Sequence, residues 1–203
     1  MVGGARYKVA RRRRREGKTN YRKRYIQVLS RRSRLVIRRT NKYIEAKIVD
    51  FDPRGDIVRV SAHSIELFKS YGWLGSGAST MAAYLTGYLL GKRAMKRGIS
   101  AAIPDIGLRS PVKESRVFAV IKGAIDAGLK VPVSEEVLPS TERIKGEHVA
   151  SYARELKESS PEKFSRIFSL LLKRGLDPSD YPKHFEQVLR NIDEKEGSGS
   201  NVN

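Results

Sequence analysis

The chain contains no cysteine, and its 203 residues include only one tryptophan and three histidines. Without thiols there is no disulfide framework, no thiolate nucleophile and no zinc site built on sulfur, and an intracellular setting fits best. Long apolar runs are missing as well. The most apolar stretch, Met81 to Leu90, is cut off by Lys92 and Arg93, well short of the roughly 18 continuous apolar residues of a membrane span. Arginines near the start with no apolar run behind them do not read as a secretory signal, so no membrane is expected as a partner. The third scarcity is acid. Residues 1–42 hold 17 lysines and arginines against a single carboxylate, Glu16, a net charge of +16. The remaining 161 residues carry 24 basic and 21 acidic side chains, a net of only +3.

What is present follows from that asymmetry. A concentrated positive block repels itself unless it lies on a polyanion, and a run of phosphates answers it by releasing condensed counterions. Behind the block, 39% hydrophobic residues suffice for one domain core. Residues 1–19 combine glycine, five consecutive arginines and little apolar content, which predicts an arm that orders on its partner. Tyr21, Tyr25, Val28 and Leu29 share one face at helical spacing, which predicts a short helix with that face inward and its basic side out. Three strands are expected over 35–39, 43–51 and 57–61, joined by turns at Thr40-Asn41-Lys42 and Asp52-Pro53-Arg54-Gly55-Asp56.

After an irregular segment from His63 to Ala78, Ser79 caps a predicted helix from Thr80 to about Arg97. A strand candidate spans Ala101 to Leu108, and a second helix about Arg116 to Ala127. Prolines at 132 and 139 break the next stretch into loop. Three further helices are predicted, about 146–158, 162–174 and 183–192. The expected fold is α/β: a mixed sheet that starts antiparallel, flanked by helices, with a basic N-terminal arm and a helical C-terminal extension. The expected division is an arm over 1–19, an α/β domain over 20–145, a helical extension over 146–192 and a disordered tail over 193–203.

Several motifs in this order carry a resemblance. They are the run from Arg34 to Ile44, Tyr71-Gly72-Trp73, Ala83-Tyr84-Leu85-Thr86-Gly87 with Gly91-Lys92-Arg93, and Asp105-Ile106-Gly107-Leu108. Ser115-Arg116-Val117-Phe118-Ala119 with Lys122-Gly123-Ala124, and Arg143 to His148, complete the set. Together, over residues 6 to 155, they resemble the archaeal type of the large-subunit ribosomal protein that binds 5S rRNA, number eighteen in the bacterial and archaeal series and related to eukaryotic large-subunit protein five. The stretch from Ser159 onward carries no motif of that pattern. The resemblance implies a structural protein of the large subunit, in the cytoplasmic ribosome, that holds 5S rRNA in the central protuberance and ties it to 23S rRNA. It implies neighbouring ribosomal proteins as partners, and no enzymatic activity, cofactor, metal or small-molecule substrate.

The RNA-contact candidates are Arg6, Tyr7, Lys8, Arg11, Arg12, Arg13, Arg14, Arg15, Lys18, Asn20, Tyr21, Arg22, Arg24, Arg31, Arg32, Arg34, Arg38, Asn41 and Lys42. Guanidinium forks match phosphate oxygens, and interleaved tyrosines can stack on unpaired bases. For Tyr7, stacking and plain surface packing stay open. Tyr25 is expected in the core by its helical spacing, and Trp73 as a plug at the core edge. Alternation along the first strand places Arg34, Val36 and Arg38 on one side, making Arg34 and Arg38 a basic edge that Asn41 and Lys42 extend. By the resemblance, this hairpin faces 5S rRNA.

Two rivals are weighed against this reading. The strand order is that of an RNase H-like fold, and Asp50, Asp52 and Asp105 are conceivable two-metal ligands. Such a site needs a carboxylate in the middle of the first strand, where Leu35-Val36-Ile37 stands, and Asp52 and Asp56 read better as turn residues. An RNA chaperone acting off the ribosome would use the same arm. His63, His148 and His184 lack metal-ligand spacing and read as surface or capping residues.

Overall fold

A computed structural model describes Gly4 and residues 8–197. The expectations for Arg6, Tyr7 and residues 198–203 lie outside it. Three of the predicted strands appear as β1 (Arg34–Arg39), β2 (Ile44–Asp50) and β3 (Ile57–His63), and the fourth as the short β4 (Ile103–Asp105). The sheet order is β3-β2-β1-β4, antiparallel except for the parallel β1–β4 pair. Alternation puts Leu35, Ile37, Ala46, Ile48, Val60 and Ala62 on one face, all buried. Val36, Lys47 and Val49 point to the other face, beside Arg34 and Arg38.

The helical segments are α1 (Arg12–Arg15), α2 (Tyr21–Leu29), α3 (Ser64–Ser70), α4 (Thr80–Lys96), α5 (Arg116–Asp126), α6 (Thr141–Lys145), α7 (Glu147–Ser159), α8 (Pro161–Ile167), α9 (Ser169–Lys173) and α10 (Tyr181–Gly197). The apolar segment that is too short for a membrane becomes α4, a central helix buried along most of its length between the sheet, α5 and α10. Ser79 caps it as expected, its hydroxyl accepting from the Ala82 amide at 3.1 Å. Close packing with α5 rests on two glycines. A Cβ at Gly87 would overlap the Val120 carbonyl, and one at Gly123 the Tyr84 carbonyl. Among the described residues no helix is long and apolar enough to cross a membrane.

Three expectations need revision. The segment after β3 opens with α3, not irregular chain, because His63 and Glu66 close a capping box. His63 Nδ1 accepts from the Ile65 amide, and Glu66 accepts from the His63 amide. The single helix expected over 162–174 breaks at Phe168, which turns inward with Phe164 against Ala153 to make a small satellite core. The last helix does not end at Ile192 but continues to Gly197, held by its own acids. Asp193 accepts from the Tyr88 hydroxyl, and Glu196 from Tyr71, Arg93 and Lys96. Tyr181, Phe185, Val188 and Ile192 join the main core, and Trp73 is buried there against His184 at 5.2 Å between ring centroids.

Candidate nucleic-acid interface

The five arginines 11–15 form one tight turn, not an extended run. The turn closes at Gly17, which has a φ of +62°. The Gly17 amide donates to the Arg14 carbonyl and the Lys18 amide to the Arg13 carbonyl, a closing pattern that suits glycine. All five side chains are exposed, as are Lys8 and Lys18. Glu16 lies against Lys18 at 2.9 Å and Arg12 at 3.8 Å. Arg11 stacks its guanidinium 5.0 Å from the centre of the Tyr21 ring.

Asn20 starts α2: its side-chain oxygen accepts from the Lys23 amide at 3.1 Å. Its role is therefore to cap a helix, and that oxygen is not free for a base. The helix is rotated from the expectation: Tyr21 and Val28 stay half-buried and Arg22 and Lys23 exposed, but the rest of the predicted inner face turns out. Its polar side turns to the sheet, where Gln27 donates to the Pro104 carbonyl and Arg24 pairs with Asp56 at 2.9 Å. Tyr25, Ile26 and Leu29 face solvent, each more than 60% exposed, so Tyr25 is not a core residue. Specific pairing with Asp56 and Pro104 sets the orientation that apolar spacing alone gets wrong.

Beneath α2 lies the second revision. Arg34 is 2% exposed, and its guanidinium donates to Asp56 at 2.6 Å and to Asp105 at 3.2 Å. It cannot reach RNA from there, and the predicted basic edge loses one of its two members. Arg38 remains exposed but is tethered, donating to both the Asp105 carboxylate and the Asp105 carbonyl. Asp105 also accepts from the Gly107 amide. Arg24, Asp56, Arg34, Asp105 and Arg38 thus alternate in charge across the outer face of the sheet. They line a cleft of about 530 Å³ together with Arg13, Lys18 and Lys23 and with Val36, Val49 and Val58. At the hairpin tip Asn41 and Lys42 are exposed, while Thr40 and Tyr43 close the turn. Arg22, Arg31 and Arg32 are exposed as well. Arg31 follows α2 with a φ of 52°, a conformation in which a side chain is strained.

The structural acids Asp56 and Asp105 were legible only in part. Asp56 reads from sequence as a turn residue, and nothing local signals that it reaches Arg24 and Arg34. The carboxylates of the nuclease rival are occupied elsewhere. Asp50 accepts from Ser33 and pairs with Arg59, Asp52 accepts from the Arg54 amide, and Asp105 holds two arginines. Among the described residues no group of three histidines or acids could hold a metal ion.

Comparison with known proteins extends the picture. Residues 5–101 match the family model described as ribosomal large subunit proteins 60S L5 and 50S L18. The chain is 57% identical over 192 residues to large ribosomal subunit protein uL18 of Ignicoccus hospitalis, covering 95% of this chain and 94% of that one. It is 57% identical over 192 residues to the protein of the same name from Sulfurisphaera tokodaii, covering 95% and 97%, and 56% to that from Staphylothermus marinus, covering 95% and 95%. A match of that length runs well past Ser159, so the C-terminal helices, which carry no motif of the resemblance, are shared with these relatives too. Alike over nearly its whole length, the chain belongs to the uL18 family of large ribosomal subunit proteins and is a structural constituent of that subunit, not an enzyme.

Proposed function

We propose that the chain binds 5S rRNA and anchors it to 23S rRNA in the central protuberance of the large subunit, alongside neighbouring ribosomal proteins. The observation that carries this reading is the +16 segment of residues 1–42. Its arm, α2 and the turn after α2 contain one acid and present Lys8, Arg11 to Arg15, Lys18, Arg22, Arg31 and Arg32 to solvent. Arg6 and Tyr7 belong to the same segment. Phosphate contacts from these cations fix position, while unpaired bases are read by stacking. Tyr21, already under Arg11, and the outward Tyr25 are the rings placed for that. Asn41 and Lys42 extend the contact along the hairpin, and Arg24 and Arg38 serve at its margin. Arg34 and Asn20 act by positioning the others. The division into an arm over 1–19, a domain over 20–145, a helical extension over 146–192 and a tail is part of the same proposal.

The test is removal of residues 1–19. Among the described residues none before Leu35 enters the hydrophobic core, so the shortened protein is expected to melt as the full chain does but to bind a 5S rRNA transcript far more weakly. Unchanged 5S affinity in the shortened protein overturns the proposal.

A further inference from the structure

A second group of cations lies away from the arm. Arg39 ends β1 on the helix-facing side, with Leu35 and Ile37, whereas Glu45 sits on the other face opposite Arg38. The first turn of α5 supplies Arg116, whose guanidinium donates to the Ala78 carbonyl at 2.7 Å. That carbonyl follows Gly77, which packs against the Lys42 carbonyl and the Tyr43 ring, so the hairpin tip and the start of α5 meet at one loop. The loop from β4 into α5 adds Arg109 and Lys113, both exposed. Among the described residues no carboxylate pairs with Arg39, Lys42, Arg109, Lys113 or Arg116.

Glu114 is the one carboxylate in this loop, and it is exposed and forms no ion pair with these cations. Burial, and then the charges of Arg39 and Arg109, push the Arg116 guanidinium below its ordinary value. Helices α4 and α5 run side by side in one direction, with Gly87 against Val120 and Gly91 against Ala124. Both helix starts therefore lie at this end, with no acid in either first turn. Their dipoles add positive potential to a cluster that is already cationic. At the opposite end of α4 the cations are answered: Lys92, Arg93 and Lys96 each have a carboxylate. Here cations from a strand end, a loop and a helix start converge without one.

We propose that Arg39, Arg109, Lys113 and Arg116 form a second RNA-contact surface that takes a stretch of phosphodiester backbone, separate from the one served by the arm, α2 and the hairpin tip. Four cations spread over a strand end, a loop and a helix start match a chain of phosphates better than a single phosphate group. The inference rests on the reading of the chain as an RNA-binding ribosomal protein. It adds a second place on the molecule, at the end of β1 and the start of α5, where RNA backbone is gripped.

The test uses the full-length double variant Arg39→Gln/Arg109→Gln, which leaves the Arg116 bond to Ala78 in place. The control is Lys163→Gln/Arg166→Gln, on the exposed side of α8, with the same loss of charge. Each protein is titrated over a salt series with a 5S rRNA transcript and with a large-subunit rRNA transcript. For at least one RNA, the cluster variant should lose affinity several-fold and its salt slope should shrink by about 1.4 to 1.8, at about 0.7 to 0.9 per phosphate contact. Its melting temperature without RNA should stay level or rise, because like charges have been separated. Unchanged affinity and slope on both RNAs, or losses equal to the control's, overturn the inference while leaving the arm's role standing. If the unmodified protein binds neither RNA, it is the ribosomal reading that fails.

Discussion

Arg34 shows how a single residue can look functional in sequence and be structural in the fold. Alternation along β1 assigns it correctly to the same side as Arg38, but says nothing of what covers that side. Its partners come from 22 and 71 residues away, and the guanidinium lies between them with its side chain 3% exposed. Removing one member of a buried charge group leaves the others uncompensated, at a cost of about 3 to 5 kcal/mol, discounted toward the lower figure by the partial exposure of Asp56. Arg34→Ala is therefore expected to lower folding stability by about 3 kcal/mol in urea titrations. Arg22→Ala on the exposed side of α2 should leave the midpoint almost unmoved and weaken RNA binding instead. A neutral effect of Arg34→Ala on stability would mean that Asp56 and Asp105 find other partners, and the charge chain across the sheet would not hold the fold.

Among the elements, α10 has an attachment that responds to pH. His184 is buried against Trp73, and its Nε2 accepts from the Leu74 amide at 3.1 Å, a bond that only the neutral ring can accept. Burial lowers its pKa below the ordinary 6.5. The unfolded chain therefore binds this proton more readily than the folded one, so stability falls as pH drops. The contribution is complete above about pH 6.5 and is lost progressively as pH falls from there through the lower folded-state value. Melting temperatures recorded from about pH 7.5 to about pH 5 should decline, and His184→Gln should flatten that decline relative to the parent chain. An equal decline in both proteins would locate the proton elsewhere.

The same scale shows what was legible. β1, β2, β3, α4 and α5 are read nearly to the residue, because each buries a face written into its own local spacing and is bounded by its own caps and turns. The orientation of α2 is not, because a weakly apolar face with Tyr25 and Leu29 loses to one ion pair and one amide bond from distant strands. α3 is missed because a histidine does the work of a capping serine. The candidate contacts are legible as a charge distribution. Which of them are free depends on Asp56 and Asp105, and no local pattern announces those partnerships.

At the scale of the whole molecule, the internal pairing limits how much of the charge can be used on RNA. The segment 1–42 carries +16, yet Arg24, Arg34 and Arg38 already face carboxylates within the domain, and Glu16 sits with Arg12 and Lys18. Cations that stay paired in the complex displace no counterions, so the dependence of binding on salt should reflect the free ones only. If the arm and α2 neutralise about 8 phosphates, log K should fall against log salt with a slope of about −6 to −7, at about 0.7 to 0.9 per phosphate. Measured for the full chain with 5S rRNA, a slope shallower than about −2 would remove the arm as the main source of affinity. A slope steeper than about −10 would mean that further cations reach phosphates, either the cluster around Arg39 and Arg109 or the arginines now paired with Asp56 and Asp105. Arg39→Gln/Arg109→Gln separates the two: it should flatten the slope in the first case and leave it unchanged in the second.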